Sequence, residues 1–235
     1  MLLADLGGKV AVCTGASSGI GAAIADRIEA AGATVHRVSR RGPIALDVTD
    51  RAAVDQFVQS LERLDILVCA AGENVPRRAL AELAPEDWDR ILAVNLTGAF
   101  NFVAAGLAKL REARGDVLFV ASVSGHWPDP SGPAYQASKA GLIGLARAAG
   151  FELHGEGIRF SVINPGAVDT PIMDKRPTPP PAEMRARMLR PDDVAEAALL
   201  ILALPGRAWI PELTILPTAL QALGQTSGGS VPRPG

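Results

Sequence analysis

"KVAVCTGASSGIGAAIADRIEAAGATVHRV", residues 9–38, decides the fold. KVAVC (9–13) is an apolar strand that runs straight into TGASSGIG (14–21). A helix follows from Gly19 to Ala31, and TVHRV (34–38) is a second strand. The glycine spacing suits a sharp joint between strand and helix. Gly15 permits the tight turn, Gly19 lets a backbone approach a pyrophosphate, and Gly21 lets helix pack on strand. The helix start adds unpaired N–H groups and a partial positive charge, so Gly15, Ser17, Ser18, Gly19 and Ile20 form the expected anion cradle.

The alternation continues along the chain. PIALD (43–47) follows the second strand almost at once, so the second crossover has shrunk to a turn. Further strands are read at DILVCA (65–70), DVLFVAS (116–122), RFSVI (159–163) and ELTIL (212–216). Helices are read at Arg51–Leu61, Trp88–Ala113, Ala134–His154 and Pro191–Leu204. Strands apolar on both faces, alternating with helices, require a parallel sheet covered on both sides. The expectation is a single doubly wound α/β domain with a mainly seven-stranded parallel sheet over residues 1–223. Residues 170–190 are read as a substrate lid and 224–235 as a flexible tail. Ligands in such folds sit at the carboxyl ends of the strands.

Composition narrows the class. Of 235 residues, 48% are hydrophobic but only 4% aromatic, so Ala, Val, Leu and Ile must build the core. Net charge is −2, which gives no reason to expect a nucleic acid or a membrane surface as partner. The apolar run AEAALLILAL is far shorter than the ~20 residues of a membrane span. Cys13 and Cys69 lie in apolar runs and read as buried thiols of a cytoplasmic protein.

"AYQASKAG" (134–141) holds the only tyrosine, with Lys139 one helical turn after Tyr135. With the glycine loop, this identifies a resemblance to the short-chain dehydrogenase/reductase family over residues 5–217. TGASSGIG resembles its cofactor loop and YQASK its Tyr-x-x-x-Lys signature. Asn95 in VNLTGAF and Ser122 in VASVSG fall where the family has the rest of its catalytic tetrad. NPGAVDT (164–170) resembles its nicotinamide-side motif. The resemblance implies a Rossmann-type fold and hydride transfer between a carbonyl and a secondary alcohol, with Tyr135 as acid/base. A phenol of pKa near ~10 is a weak base at neutral pH. The Lys139 ammonium and a positively charged nicotinamide are expected to lower it. Ser122 would bond the substrate oxygen, Lys139 would hold the nicotinamide ribose, and Asn95 would support a water chain to that lysine. Ser124 is two positions from Ser122, but ASVSG aligns through Ser122.

The same resemblance names the cofactor contacts. The second strand ends in Ser39-Arg40-Arg41, with no acidic residue at the place where NAD enzymes bond the ribose. Two guanidiniums can meet a 2′-phosphate, so the expected cofactor is NADP(H). Asp47 and Val48 resemble the adenine-contacting pair. Ala71 and Gly72, in a CAAG that departs from the family's Asn-Asn-Ala-Gly, would give backbone contacts. Pro165, Gly166, Val168 and Thr170 would hold the carboxamide. No metal is called for. A small-molecule carbonyl or alcohol is the expected substrate, and a homodimer or homotetramer the expected assembly.

The substrate side is less determined. Trp127, Met173, Met184 and Met188 suit either an apolar pocket or packing under the lid. His126 suits either a substrate contact or a solvated loop. Arg185, Arg187 and Arg190 suit either an acidic substrate or a solvated helix face. An NAD-dependent dehydrogenase of an alcohol or hydroxy acid and a non-catalytic dinucleotide sensor remain alternatives.

Overall fold

The computed structural model describes residues 5–222 and 225–226. Val10–Thr14 (β1) leads through the glycine turn to Gly19–Ala30 (α1) and then Thr34–Ser39 (β2). Ile44–Ala45 (β3), Arg51–Ser60 (α2) and Ile66–Cys69 (β4) follow. Pro85–Leu92 (α3) continues through a π-helical turn, Ala93–Thr97, into Gly98–Ala113 (α4). Asp116–Val120 (β5), Pro133–Leu153 (α5) and Arg159–Pro165 (β6) complete the second half. After a short helix, Ala182–Arg185 (α6), come Pro191–Leu202 (α7) and Glu212–Ile215 (β7).

These strands form one parallel sheet in the order β3-β2-β1-β4-β5-β6-β7. The order reverses between β1 and β4, which opens a crevice at their carboxyl ends. Successive residues of each strand point to opposite faces, and both faces are covered. Val12, Leu67, Val117, Phe119, Phe160 and Val162 share one core with residues of α2, α4 and α5. Ala11, Cys13, Ile66, Val68, Leu118 and Ile163 share the other with residues of α1 and α7. Both cysteines are free and buried. By length and apolarity the helical run Pro85–Ala113 would suffice to cross a membrane. Here its Phe102, Val103 and Leu110 are buried in the core beside Val54 and Val58 of α2.

Some boundaries differ from the sequence reading. The third strand is two residues long, because Asp47 Oδ1 accepts from the Thr49 N–H at 2.9 Å and its hydroxyl at 2.8 Å, turning the chain off the edge. The long helix starts at Pro85 rather than Trp88, since proline needs no N–H partner in a first turn. The last helix stops before Pro205. Of the expected tail, Gln225–Thr226 pairs antiparallel with Gln221–Ala222. Gly224 and residues 227–235 lie outside the described residues.

The glycine turn is built with no spare room. Gly15 has φ +69°, and a Cβ there would lie 2.7 Å from the Ala71 nitrogen at the end of β4. A Cβ on Gly21 would lie 2.5 Å from the Gly15 carbonyl oxygen. Gly21→Ala should therefore push α1 off the turn and destabilise the protein by about 1–3 kcal/mol, as overpacking does. The guanidinium chloride midpoint should fall accordingly, and an unchanged midpoint would contradict this packing.

Candidate active site

A cavity of about 680 Å³ opens at the carboxyl ends of β1, β2 and β4. The cradle residues Gly15, Ser17, Ser18, Gly19 and Ile20 line it on one side. Ser18 stands at the N-cap of α1 without a side-chain cap bond, and no acidic residue occupies the first turn. The first N–H groups of α1 thus keep their affinity for an anion. Elsewhere the helix start is filled from within: Asp50 caps α2 by accepting from the Ala53 N–H at 3.0 Å.

Ser39, Arg40, Arg41, Asp47 and Val48 line the far end of the cavity, and Ala71 and Gly72 its floor. Ser39 is buried and its hydroxyl has no partner among the described residues. Such an orphan is costly unless a ligand satisfies it. Together with the glycine cradle it fits a dinucleotide cofactor. Three residues that sequence reasoning missed shape this end. Thr14 Oγ1 accepts from the Ala70 and Ala71 N–H groups at 3.1 and 3.3 Å, tying β4 to β1 where the family's asparagines are absent. Asn101, buried on α4, donates to the Val48 carbonyl at 3.0 Å and holds that wall.

The third is Glu73. No carboxylate was expected beside Arg40, yet Glu73 comes in from the end of β4, 3.6 Å from Arg40 Nη2 and 2.9 Å from Arg90 Nε. It is 6% exposed and lines the cavity. Its position directly after CAAG was the only signal, and pairing with Arg40 depends on a strand crossing that local sequence does not report.

Around the tyrosine, the structure joins distant segments. Asn95, in the π-turn, accepts from the Glu73 N–H at 2.8 Å and donates to the Glu73 carbonyl and to Ser138 Oγ, both at 3.0 Å. Ser138 Oγ donates to the Tyr135 carbonyl at 2.7 Å. Lys139, buried, donates to the Val120 carbonyl at 2.9 Å and lies 5.6 Å from the Tyr135 ring centroid. The Ser122 side chain lies within reach of the Tyr135 phenol. Ser122 Oγ also donates to Ser124 Oγ at 3.1 Å, and Ser124 donates in turn to Asp129.

Tyr135 lines both the first cavity and a second of about 460 Å³. Ser122, Gly166, Met173, Met184 and Met188 line the second; Thr170 lines the first. Not every residue of the expected site lines a cavity. Pro165 and Val168 line neither cavity: Pro165 pairs with Ile215 in the sheet, and Val168 is buried in the core and bridges Leu189. His126 pairs with Glu212 instead of facing the second cavity, and Trp127 stays outside it. Arg185 is held by Asp169 at 3.0 Å and by Asp174, and Arg187 donates to the Ala219 carbonyl.

Burial dominates the electrostatics around the tyrosine. Burial pushes the Tyr135 phenol up to about 12, against the lowering effects of the Ser122 bond, Arg176 and Arg78. The Lys139 ammonium lies beside the ring and bonds a backbone carbonyl. Burial pushes Lys139 itself down to about 8. A phenol held protonated at neutral pH is arranged to give a proton.

The profile of the short chain dehydrogenase family matches residues 9–180. The chain belongs to that family. The 3-oxoacyl-[acyl-carrier-protein] reductase of Thermotoga maritima is 33% identical over 225 residues, covering 83% of this chain and 91% of the relative. The 2,3-dihydro-2,3-dihydroxybenzoate dehydrogenase of Escherichia coli is 41% identical over 179 residues, 71% of this chain and 72% of the relative. A crystal structure of a 3-ketoacyl-(acyl-carrier-protein) reductase from Brucella melitensis, complexed with NADH, superposes with a TM-score of 0.81 at 30% identity. It covers 91% of this chain and 99% of that one. The protein is thus an oxidoreductase of a family that uses NAD(P)(H).

A pH profile follows from Lys139. Its ammonium is present below about pH 8 and lost above it, while Tyr135 keeps its proton throughout that range. For carbonyl reduction, kcat/KM reports the free enzyme and should be flat below about 8 and fall above it. Lys139→Arg, whose guanidinium holds its proton to above about pH 12, should remove the falling limb. A limb that persists unchanged in the variant would contradict the assignment.

Proposed function

We propose that this protein is an NADP(H)-dependent oxidoreductase that interconverts a carbonyl and a secondary alcohol, with Tyr135 as acid/base. The observation that carries the reading is Tyr135 lining both cavities, with Ser122 beside it in the second and Ser39, Arg40 and Arg41 lining the first. Bound NADPH supplies the hydride. Ser122 bonds the carbonyl oxygen where charge develops, and Tyr135 gives that oxygen its proton. In the reverse direction the phenolate takes it back. Lys139, Gly166 and Thr170 hold the nicotinamide end, and Asn95 fixes the backbone on which Tyr135 and Lys139 stand. Residues 170–190 cover the substrate as a lid. The setting is cytoplasmic.

NADP(H) is preferred because Arg40 and Arg41 border the cavity together with Ser39, whose hydroxyl has no partner among the described residues. Glu73 favours the NAD(H) reading, since a carboxylate there can accept from ribose hydroxyls. Its charge, however, is taken closely by Arg90, and the mostly exposed Arg40 is left able to turn to a phosphate.

The test is kcat/KM for NADPH and NADH at fixed ionic strength, since salt screens such pairs. A charge-assisted contact is worth about 1.5–3 kcal/mol. Arg40→Ala should therefore raise the NADPH KM by roughly ten- to a hundredfold and leave NADH nearly unchanged. Ser39→Asp should shift preference the same way by repelling the phosphate. A wild type that prefers NADH, or an equal loss for both cofactors, would overturn the NADP(H) assignment.

We also propose a homodimer or homotetramer. Phe151 of α5 is 80% exposed and Phe100 of α4 44%, and the space beyond Gly144 is open. Light scattering should report a multiple of 24.4 kDa at micromolar concentration. A value near one chain's mass would contradict it.

A further inference from the structure

The second cavity carries more positive charge than the reaction itself needs. Arg78 lines it and is 8% exposed, although a guanidinium is seldom buried without a counter-charge. Its Nη2 donates to the Lys175 carbonyl at 2.7 Å, and its Nε has no partner among the described residues. Arg176 lines the same cavity and, like Arg78, forms no ion pair among the described residues. The nearby Arg185 shows the contrast, being neutralised by Asp169 and Asp174.

One carboxylate shares the cavity with this pair. Asp129 is already engaged, with Oδ1 accepting from the Ser131 N–H at 2.8 Å and Oδ2 from the Ser124 hydroxyl. Two guanidiniums against one carboxylate leave a net charge of about +1, which a monoanion balances. Met173, Met184 and Met188 line the same cavity and supply apolar surface for a carbon chain.

We propose that the substrate carries a carboxylate, bound by Arg78 and Arg176, so that the enzyme interconverts an oxo acid and a hydroxy acid. This rests on the oxidoreductase reading above. Reduction adds hydride to the carbonyl carbon and the Tyr135 proton to its oxygen; the carboxylate is unchanged. Guanidinium pairs match carboxylates through parallel N–H donors, and a buried pair rejects a neutral analogue because its donors are then left unsatisfied. Asp129 turns away a dianion such as a phosphate monoester by repulsion.

The experiment compares 2-oxopentanoate, 3-oxopentanoate and 4-oxopentanoate, each with its methyl ester. Dissociation constants are measured by calorimetry with and without NADP(H), and kcat/KM by NADPH oxidation. At least one acid should bind about ten- to a hundredfold more tightly than its ester. Arg78→Gln and Arg176→Gln should each remove most of that difference in binding while leaving the ester's dissociation constant unchanged. Arg176→Gln serves as the second variant because Arg78 also ties the lid segment through Lys175. The proposal is overturned if no acid outbinds its ester, or if both variants weaken acid and ester alike, as a purely structural role would. Acids that bind but never turn over would defeat the hydride-transfer reading and leave the arginine site standing. Esters that turn over as well as the acids would do the reverse.

Discussion

The site depends on the side-chain amide of Asn95. Its oxygen and both its N–H groups are engaged, and they hold together the turn after β4 and the start of α5. The π-turn makes this possible by shifting one residue of the long helix inward, where Asn95 is 1% exposed. Each broken bond would leave a buried polar group unsatisfied, at about 1–3 kcal/mol. The gain is positional. Glu73, Ser138 and the Tyr135 carbonyl become one hydrogen-bonded unit, and Lys139 is fixed a further turn-face away on the same helix. A catalytic tyrosine displaced by an ångström loses its alignment with substrate and cofactor together.

The charges of the site are organised around that frame. Burial disfavours the charged forms of both Tyr135 and Lys139, so the phenol keeps its proton and the lysine loses its own more easily. The buried machinery is thus poised near neutrality, and the fixed charges stand at its two ends. Arg40 and Arg41 border the first cavity, and Arg78 and Arg176 the second. Ser122, in the same cavity as the tyrosine, donates to Ser124, which donates in turn to Asp129, so its hydroxyl is held by a chain of bonds.

The parts legible in the sequence are those that strand and helix periodicity or short motifs encode locally. The glycine turn, the one-turn spacing of Tyr135 and Lys139, and the turn that replaces a helix between β2 and β3 all follow from neighbours along the chain. Long-range partners were not legible. Glu73 meets Arg40 only because β4 lies beside β1, and Arg78 meets Arg176 only where the loop after β4 faces the segment after β6. Conversely, Arg185 looked available for an acidic ligand, because its partner Asp169 lies sixteen residues earlier and across a bridge. The burial of the phenol, which raises its pKa, was not legible for a similar reason. Spacing put Lys139 near Tyr135 but did not show the ammonium bonded to the Val120 carbonyl.

The central claim is that the Tyr135 hydroxyl delivers the proton. Tyr135→Phe keeps the ring and removes only that hydroxyl, so single-turnover kinetics and an NADPH fluorescence titration on the variant separate chemistry from binding. The account predicts NADPH binding within about twofold of wild type and turnover lowered by about a hundredfold or more, as loss of a general acid does. Turnover retained at more than about a tenth of wild type, with binding intact, would contradict it.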